Sequence, residues 1–151
     1  MAQSQISKTP IQIFALLLRG YPDVPCHNLP NSLSDYSDVL CFDGYRDFYE
    51  NAYPILKSHN FKATLFVISQ HVGGSEYVSW DQLKEMLGSG LVAVGDHTLS
   101  HPSLPPLSPE RLKDEIISAK NILEANLGVP VNVFSYPYGG ANGEAEKILQ
   151  E

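Results

Sequence analysis

Short, nearly continuous apolar segments alternate along this chain with longer segments in which apolar residues recur every three or four positions. The short segments are typical of strands buried on both faces of a parallel sheet, and the longer ones are typical of amphipathic helices. The predicted strands are residues 38–42, 63–68, 91–94 and 131–134, with an earlier apolar segment at 11–18 as a further strand. The predicted helices are residues 48–59, 80–87, 109–127 and 144–151.

Three ends, on two of the predicted helices, carry recognisable signals. Asp47 is a candidate N-cap, and Ser108 is a second one because the proline that follows it suits the first turn of a helix. Gly128 is predicted to end the helix that begins after Ser108.

The alternation of strands and helices predicts an α/β protein built from parallel β-α units with right-handed crossovers. Four clear units make half of an eight-unit barrel or most of a small open sheet, and the prediction is a partial (β/α) barrel. A length of 151 residues suits a single domain over 1–151. Residues 1–37 would supply one strand and an irregular connection, because 21–37 is rich in Pro, Asn, Ser and Asp.

The charge and the hydrophobicity of the chain limit which partners and which cellular location we expect. The 17 acidic and 10 basic residues give a formal net charge of −7, and no basic stripe is present, so we expect no nucleic-acid partner. The segment 11–18 is too short for a membrane span, and no signal peptide is evident, so a cytoplasmic location is the default expectation. Half a barrel leaves edge strands unpaired, which predicts a homodimer or a higher oligomer.

Polar residues that can bind a metal follow the predicted strands. His97 and His101 are four residues apart after one strand, and neutral imidazole is a good ligand for Zn²⁺, with Co²⁺ or Ni²⁺ as alternatives. Asp43 ends another strand and is the candidate third ligand. The plainer interpretation is a pair of solvent-facing loop histidines and an Asp43-Gly44 turn. Two histidines and one carboxylate would leave open positions on the metal, as in hydrolytic sites.

A third polar segment, residues 134–140, combines aromatic residues with two glycines after the last predicted strand. A turn of this kind can aim backbone N–H groups at a developing oxyanion, and the rings of Tyr136 and Tyr138 can form the wall of a sugar site. The alternative is an aromatic packing corner. Asp43, His97, His101 and Tyr138 all follow a strand, which is where function gathers in parallel α/β folds.

Together these three segments resemble the polysaccharide deacetylase family of carbohydrate esterases. The family's Thr-Phe-Asp-Asp-Gly motif is similar to Cys-Phe-Asp-Gly at 41–44, and its His-Ser/Thr-x-x-His motif is matched in full at 97–101. Its Arg-x-Pro-Tyr-Gly motif resembles Ser-Tyr-Pro-Tyr-Gly at 135–139. The resemblance runs from about residue 39 to 151 and implies a (β/α) barrel of the deacetylase type.

The resemblance also implies a function, namely hydrolysis of N- or O-acetyl groups on a polysaccharide such as chitin or peptidoglycan. This is hydrolase chemistry on carbon–nitrogen bonds other than peptide bonds, assisted by a divalent metal. The implied metal ligands are Asp43, His97 and His101, and the backbone N–H of Tyr138 would help to hold the oxyanion. The implied substrate-binding residues lie in one segment: Tyr136, Pro137, Tyr138 and Gly139.

The chain departs from the family pattern where catalysis needs a base. The first motif normally has two aspartates, a base followed by a metal ligand, and this chain has one. If Asp43 is the ligand, Phe42 occupies the base position; read from the other side, Asp43 is the base and the carboxylate ligand is missing. Ser135 replaces the arginine that orients the base, and Asp96 is a candidate replacement carboxylate. The family's last two motifs, a pocket wall and a catalytic-acid histidine, are not found before residue 151.

Two hypotheses follow from these departures. The first is a polysaccharide deacetylase, either intact or impaired, acting on an acetylated polysaccharide or oligosaccharide. The alternative is a non-catalytic relic of the fold that binds glycan or metal.

Overall fold

The computed structural model describes residues 12–13, 40–141 and 143–150. Its strands are β1 Gln12–Ile13, β2 Leu40–Asp43, β3 Ala63–Val67, β4 Val92–Asp96 and β5 Val133–Phe134. Its helices are α1 Tyr53–His59, α2 Trp80–Gly88, α3 Pro109–Lys113, α4 Ala119–Leu127 and α5 Gly143–Gln150. A π-type turn, Phe48–Ala52, precedes α1, and a second one, Asp114–Ser118, joins α3 to α4.

All five described strands pair in parallel, in the order β1-β5-β4-β3-β2, which confirms the predicted α/β arrangement. The predicted strand at 11–18 is confirmed at Gln12–Ile13, which pairs with β5. The remainder of that strand and the whole of the predicted connection at 21–37 lie outside the described residues. The predicted oligomer stays a prediction. No helix in the described part of the chain is long and apolar enough to cross a membrane.

In the described part of the chain, the largest differences from the predicted strand boundaries are in β4 and β5. β4 extends to Asp96, because Asp96 still pairs with Val67 on one side and accepts a hydrogen bond from Ser135 N on the other. β5 is reduced to Val133–Phe134. The longer β4 brings Asp96 into the sheet, directly before His97.

Side-chain and glycine caps fix the helix ends. Ser79 and Gln82 form a reciprocal capping box at the start of α2, and Ser108 accepts a hydrogen bond from Arg111 N, as predicted for this cap. Gly128 ends α4 with φ of 70°, also as predicted. The prediction for Asp47 was wrong: it makes no capping hydrogen bond, because its own backbone is already helical.

Two apolar clusters hold the helices against the sheet. The first lies under α1, α2 and α4, and the second lies under α3 and α5 around Phe134. Gly95 in β4 fits closely against β3, since a Cβ atom there would lie 2.5 Å from the Phe66 ring. The packing of β3 on β4 requires a residue without a side chain at position 95, and the position of the segment after β4 depends on that packing.

We therefore expect Gly95→Ala to destabilise the protein by about 1–3 kcal/mol, the usual effect of overpacking a core. Gly88→Ala is the matched control, because no atom lies within 4 Å of a Cβ added at Gly88. Urea unfolding followed by circular dichroism measures both variants. Equal free energies of unfolding for the two variants would contradict this account of the β3–β4 contact.

Candidate functional site

The predicted site residues meet at the carboxyl edge of the sheet. Asp43 is the last residue of β2, and His97 directly follows β4. His101 lies in the loop after His97, and Tyr138 lies in a short 3₁₀ turn after β5. The parallel arrangement brings these separate segments to one edge.

His97 is the buried member of the histidine pair. Its ring Nδ1 lies 2.9 Å from the carbonyl oxygen of Ser135, and a carbonyl can only accept, so Nδ1 carries the proton. The lone pair is therefore on Nε2, which faces the loop. Burial lowers the pKa of His97 below its ordinary value, although the Ser135 hydrogen bond and the charge of Asp43 act in the opposite direction.

His101 completes the pair from the same loop. Its Nε2 lies 3.0 Å from the Nε2 of His97, and its Nδ1 lies 3.2 Å from the hydroxyl of Tyr138. Burial lowers the pKa of His101, and the nearby His97 lowers it further. Both rings are consequently held in the neutral form, which is the form that binds metals.

The loop between the histidines has an uncommon backbone. Thr98 and His101 both have positive φ, 69° and 62°, which is uncommon for residues other than glycine and rare for a β-branched residue such as Thr98. Asp96 Oδ1 accepts a hydrogen bond from Thr98 N at 2.8 Å, and Thr98 Oγ1 accepts one from His101 N at 3.0 Å. These bonds hold the turn that directs His101 back toward His97.

Asp43 is a carboxylate beside this pair. Its Oδ1 lies 3.7 Å from His97 Nε2, and its side chain is half-exposed. Its charge raises the pKa of both His97 and His101 against the effect of burial. Asp43 is thus close enough to act on both rings while remaining open to solvent.

Two separations among these side chains are close to those between the ligands of a divalent ion. In the described residues no group of three or more His, Cys, Asp or Glu side chains is already as close as a metal requires. Two ligands at about 2.0–2.1 Å from one tetrahedral Zn²⁺ lie roughly 3.4 Å apart. The separations here are 3.0 Å between the histidine nitrogens and 3.7 Å from His97 Nε2 to Asp43 Oδ1, so each lies within a few tenths of an ångström of that value.

Asp96, the candidate replacement carboxylate, is almost completely buried. Its Oδ1 is bonded to Thr98 N, and its Oδ2 has no hydrogen-bond partner among the described residues. Burial raises the pKa of Asp96 well above its ordinary value; the charge of Lys120 lowers it and that of Glu115 raises it. The charges acting on this carboxyl group therefore come from the helices behind the sheet.

The segment predicted to bind substrate is divided between core and surface. Tyr136 is only 4% exposed and packs edge-on against Phe134 in the second apolar cluster, and Pro137 is buried as well. Core packing after β5 holds these two side chains, and the prediction that they line a sugar site stays a prediction. Tyr138 is 74% exposed, and with Gly139 it faces solvent beside His101.

The ring of Phe42 lies on the helix side of β2. It packs against Phe48 with 4.8 Å between ring centroids and joins the first apolar cluster. Because neighbouring strand residues point to opposite faces, Phe42 does not share the face of Asp43. The residue that stands where the family base was expected is therefore part of the core.

Sequence reasoning missed two tyrosines beside Asp43. Tyr45 is 40% exposed and stacks on Tyr77 with 5.1 Å between ring centroids, and their backbones form an antiparallel bridge. Burial is the main cause that raises the pKa of Tyr45, and the charges of Asp43 and Tyr138 add to it. Tyr45 could have been found from the sequence because it lies two residues after Asp43. Tyr77 is distant in sequence and had no such signal.

Residues 33–151 match the family model described as polysaccharide deacetylase. The chain is similar to YxkH of Bacillus subtilis (strain 168), whose name assigns it to the polysaccharide deacetylases, with 33% identity over 109 residues. It is also similar to the poly-beta-1,6-N-acetyl-D-glucosamine N-deacetylase of Staphylococcus aureus (strain MRSA252), with 29% identity over 116 residues. The matches cover 72% and 68% of this chain but only 39% and 40% of the two relatives.

Solved structures show the same likeness. The Streptococcus pyogenes deacetylase PplD, in complex with acetate, has a TM-score of 0.70 and 34% identity, covering 73% of this chain and 50% of PplD. BA3943 of Bacillus anthracis, described as a CE4 family pseudoenzyme, has a TM-score of 0.63 and 25% identity, covering 73% of this chain and 38% of BA3943. A BA3943 mutant is described as having restored enzymatic activity. The described strands and helices are therefore part of a deacetylase-type (β/α) barrel, as predicted.

The burial of Asp96 generates a pH prediction for the metal-free protein. A carboxyl group whose folded pKa is raised contributes stability that is present at low pH and is lost as the pH rises through that folded pKa. Asp96→Asn keeps the acceptor for Thr98 N and removes the charge. Relative to the wild type it should gain about 1–3 kcal/mol as the pH rises from 4 to 8.

Urea unfolding at several pH values, with chelator present, measures this gain. Asp47→Asn is the control, since Asp47 is exposed and makes no capping bond. Parallel stability curves for wild type and Asp96→Asn over the whole range would show that burial does not perturb this group.

Proposed function

The chain belongs to the polysaccharide deacetylase family, and on that basis we propose that it is a metal-dependent deacetylase of an acetylated polysaccharide or oligosaccharide. Zn²⁺ is the proposed metal, with Co²⁺ or Ni²⁺ as alternatives. The observation that carries the proposal is the pairing of His97 and His101, whose Nε2 atoms lie 3.0 Å apart at the carboxyl edge of the sheet.

The proposed ligands are His97, His101 and Asp43. When bound, the metal would supply a Lewis acid for the acetyl carbonyl and lower the pKa of a water molecule. The Ser135 carbonyl fixes the tautomer of His97, and the Tyr138 hydroxyl can accept a hydrogen bond from His101 Nδ1, as outer-shell partners of metal-binding histidines usually do.

The substrate would lie over the exposed side of this edge. We propose that Tyr138 and Gly139 contact the sugar and that the backbone N–H of Tyr138 donates to the oxyanion. Tyr45 lies near Asp43 and Tyr138 and offers a further aromatic surface. The acidic partner that protonates the leaving group has no candidate among these residues.

We further propose that hydrolysis is slow, because Asp43 would have to act both as the metal ligand and as the general base. Asp96 remains the candidate second carboxylate, but its buried carboxyl group would have to move to exchange protons with the site. One general base is worth about 10²–10⁴-fold in rate. The likeness to the BA3943 pseudoenzyme supports this part of the proposal.

The second candidate function is a glycan- or metal-binding protein without turnover. The single aspartate before Gly44 favours it, since the histidine pair and the exposed tyrosines need no base in order to bind. Acetate release from an acetylated chito-oligosaccharide under metal saturation separates the two functions.

Metal binding provides the first test. Titration with Co²⁺ or Zn²⁺ should give one site per chain, and His97→Gln or His101→Gln should weaken it by more than about 10-fold, the loss seen even for outer-shell partners. His59→Gln is the control, because His59 is exposed at the end of α1. Unchanged affinity in the His97 and His101 variants would refute the site.

Metal affinity should also depend on pH in a defined direction. The pKa values of His97 and His101 are both lowered, so both rings stay unprotonated below the ordinary histidine value of about 6.5. Affinity should therefore persist at pH 6.5 and fall only when the pH drops through the lowered values. Loss of half the affinity already above pH 7 would contradict neutral, buried ligands.

Restoring the second aspartate tests the proposed impairment. Insertion of one Asp between Phe42 and Asp43 gives Phe-Asp-Asp-Gly while leaving Phe42 on Phe48. Acetate release should rise by up to about 10²–10⁴-fold for a well-placed base. Phe42→Asp is the matched control: it adds the same group to the core side of β2, and should reduce stability without raising the rate.

Asp96→Asn belongs in the same assay. Abolished turnover with intact metal affinity would assign the base to Asp96. Ordinary wild-type turnover of about 1–10³ s⁻¹ that is insensitive to both Asp96→Asn and the insertion would sink the proposal of an impaired base.

A further inference from the structure

Glu115 is a completely buried carboxylate that the proposed chemistry does not use. Its Oε2 accepts a hydrogen bond from Ser100 N at 2.9 Å, and its Oε1 accepts from Ser100 Oγ at 2.7 Å. Arg111 donates to the same Oε1 at 2.6 Å. In addition, the backbone carbonyl of Glu115 accepts a hydrogen bond from Leu99 N at 2.9 Å.

These contacts are directed at a particular segment. Leu99 and Ser100 are the last two residues before His101 in the loop that carries both histidines, and Glu115 binds the backbone N–H of each. A buried carboxylate is unfavourable unless it is fully hydrogen-bonded or paired. Glu115 meets that requirement with Arg111 on one side and with the loop on the other.

The helix is locally distorted where Glu115 lies. Asp114–Ser118 forms the π-type turn between α3 and α4, and π turns inside helices are frequent at functional sites. Arg111 donates to Asp114 through one nitrogen and to Glu115 through the other, at 2.9 Å and 2.6 Å. Both the backbone carbonyl and the carboxylate of Glu115 thereby reach the loop.

The loop needs such external support because its own backbone conformation is unfavourable. Thr98 and His101 have positive φ, and positions of this kind persist only when surrounding contacts determine them. The bonds from Asp96 to Thr98 and from Thr98 to His101 act within the loop. From outside the loop, Ser69 N and Gln70 N donate to the carbonyls of Thr98 and Leu99, and Glu115 ties the loop to the helical segment that carries α3 and α4.

We propose that Glu115 is a positioning residue that holds His101 opposite His97 and so preorganises the metal site. The inference rests on the proposed metal-dependent function. The hydrogen bonds of Glu115 to Leu99 and Ser100, which we call the clamp, are present without metal. It predicts that loss of the clamp weakens metal binding more than it weakens the fold.

The test compares two buried or partly buried glutamates on the same helical segment. Glu124 accepts hydrogen bonds from Val131 N at 2.9 Å and from Lys120 at 2.8 Å, and it makes no contact with the histidine loop among the described interactions. Glu115→Gln and Glu124→Gln therefore remove similar charges. Co²⁺ affinity and the visible absorption of the Co²⁺-loaded protein are measured on the full chain, together with amide hydrogen exchange of Leu99 and Ser100 without metal.

Glu115→Gln should raise the Co²⁺ dissociation constant by about 10–100-fold, alter the absorption band and speed exchange at Leu99 and Ser100. Glu124→Gln should change the dissociation constant by less than about threefold and leave the band and this exchange unchanged. Ser100→Ala removes the hydroxyl that donates to Glu115 and replaces Glu115→Gln in the test if that variant does not fold. It should also raise the Co²⁺ dissociation constant and speed exchange. Equal effects of the two glutamine variants, or no effect of Ser100→Ala, would overturn the proposal.

If the wild type binds no Co²⁺, the proposed function is wrong, but the clamp can still be tested. Hydrogen exchange would then be the deciding measurement. Faster exchange at Leu99 and Ser100 in Glu115→Gln than in Glu124→Gln would support the clamp, and equal exchange would exclude it.

Discussion

The hydrogen bond between His97 Nδ1 and the Ser135 carbonyl is the contact on which the site depends. It joins the end of β4 to the end of β5, and Ser135 N donates in return to the carbonyl of Asp96. Since β5 has only two residues, these bonds extend its pairing with β4 beyond Phe134. The same contact fixes the register of the strands, the tautomer of His97 and the direction of its free nitrogen.

A neutral histidine pair follows from this arrangement. His97 is buried with its lone pair pointing at His101, and each ring lies where protonation would be unfavourable. In the metal-free protein the Nε2–H of His101 can donate to the Nε2 lone pair of His97, because His97 carries its proton on Nδ1. We propose that a divalent ion takes the place of that shared proton, and the histidine pair is therefore the basis of the proposed function.

Much of the fold was predictable because it depends on local and periodic features. Apolar runs gave the strands, and the Ser108 cap and the Gly128 stop gave the ends of a helical segment that begins and finishes as expected. Placement after strands gathered Asp43, His97, His101 and Tyr138 at one edge, since parallel strands share their carboxyl ends.

What the sequence did not reveal depends on packing and on distant partners. Tyr136 and Tyr138 are two residues apart and chemically alike, yet one is in the core and the other is exposed, because a 3₁₀ turn separates them. The length of β4 depended on its neighbours on both sides, so the burial of Asp96 was hidden. Glu115 lies within a predicted helix, and only the π-type turn and the approach of Ser100 identify it as a residue that anchors the loop.

X-ray absorption at the zinc edge of the Zn²⁺-loaded full chain tests the central claim most directly. The account predicts nitrogen and oxygen ligands at about 2.0–2.2 Å together with the outer-shell scattering of two imidazole rings, which should be reduced in His101→Gln. Zinc coordinated by oxygen alone, or by sulfur at about 2.3 Å, would contradict it.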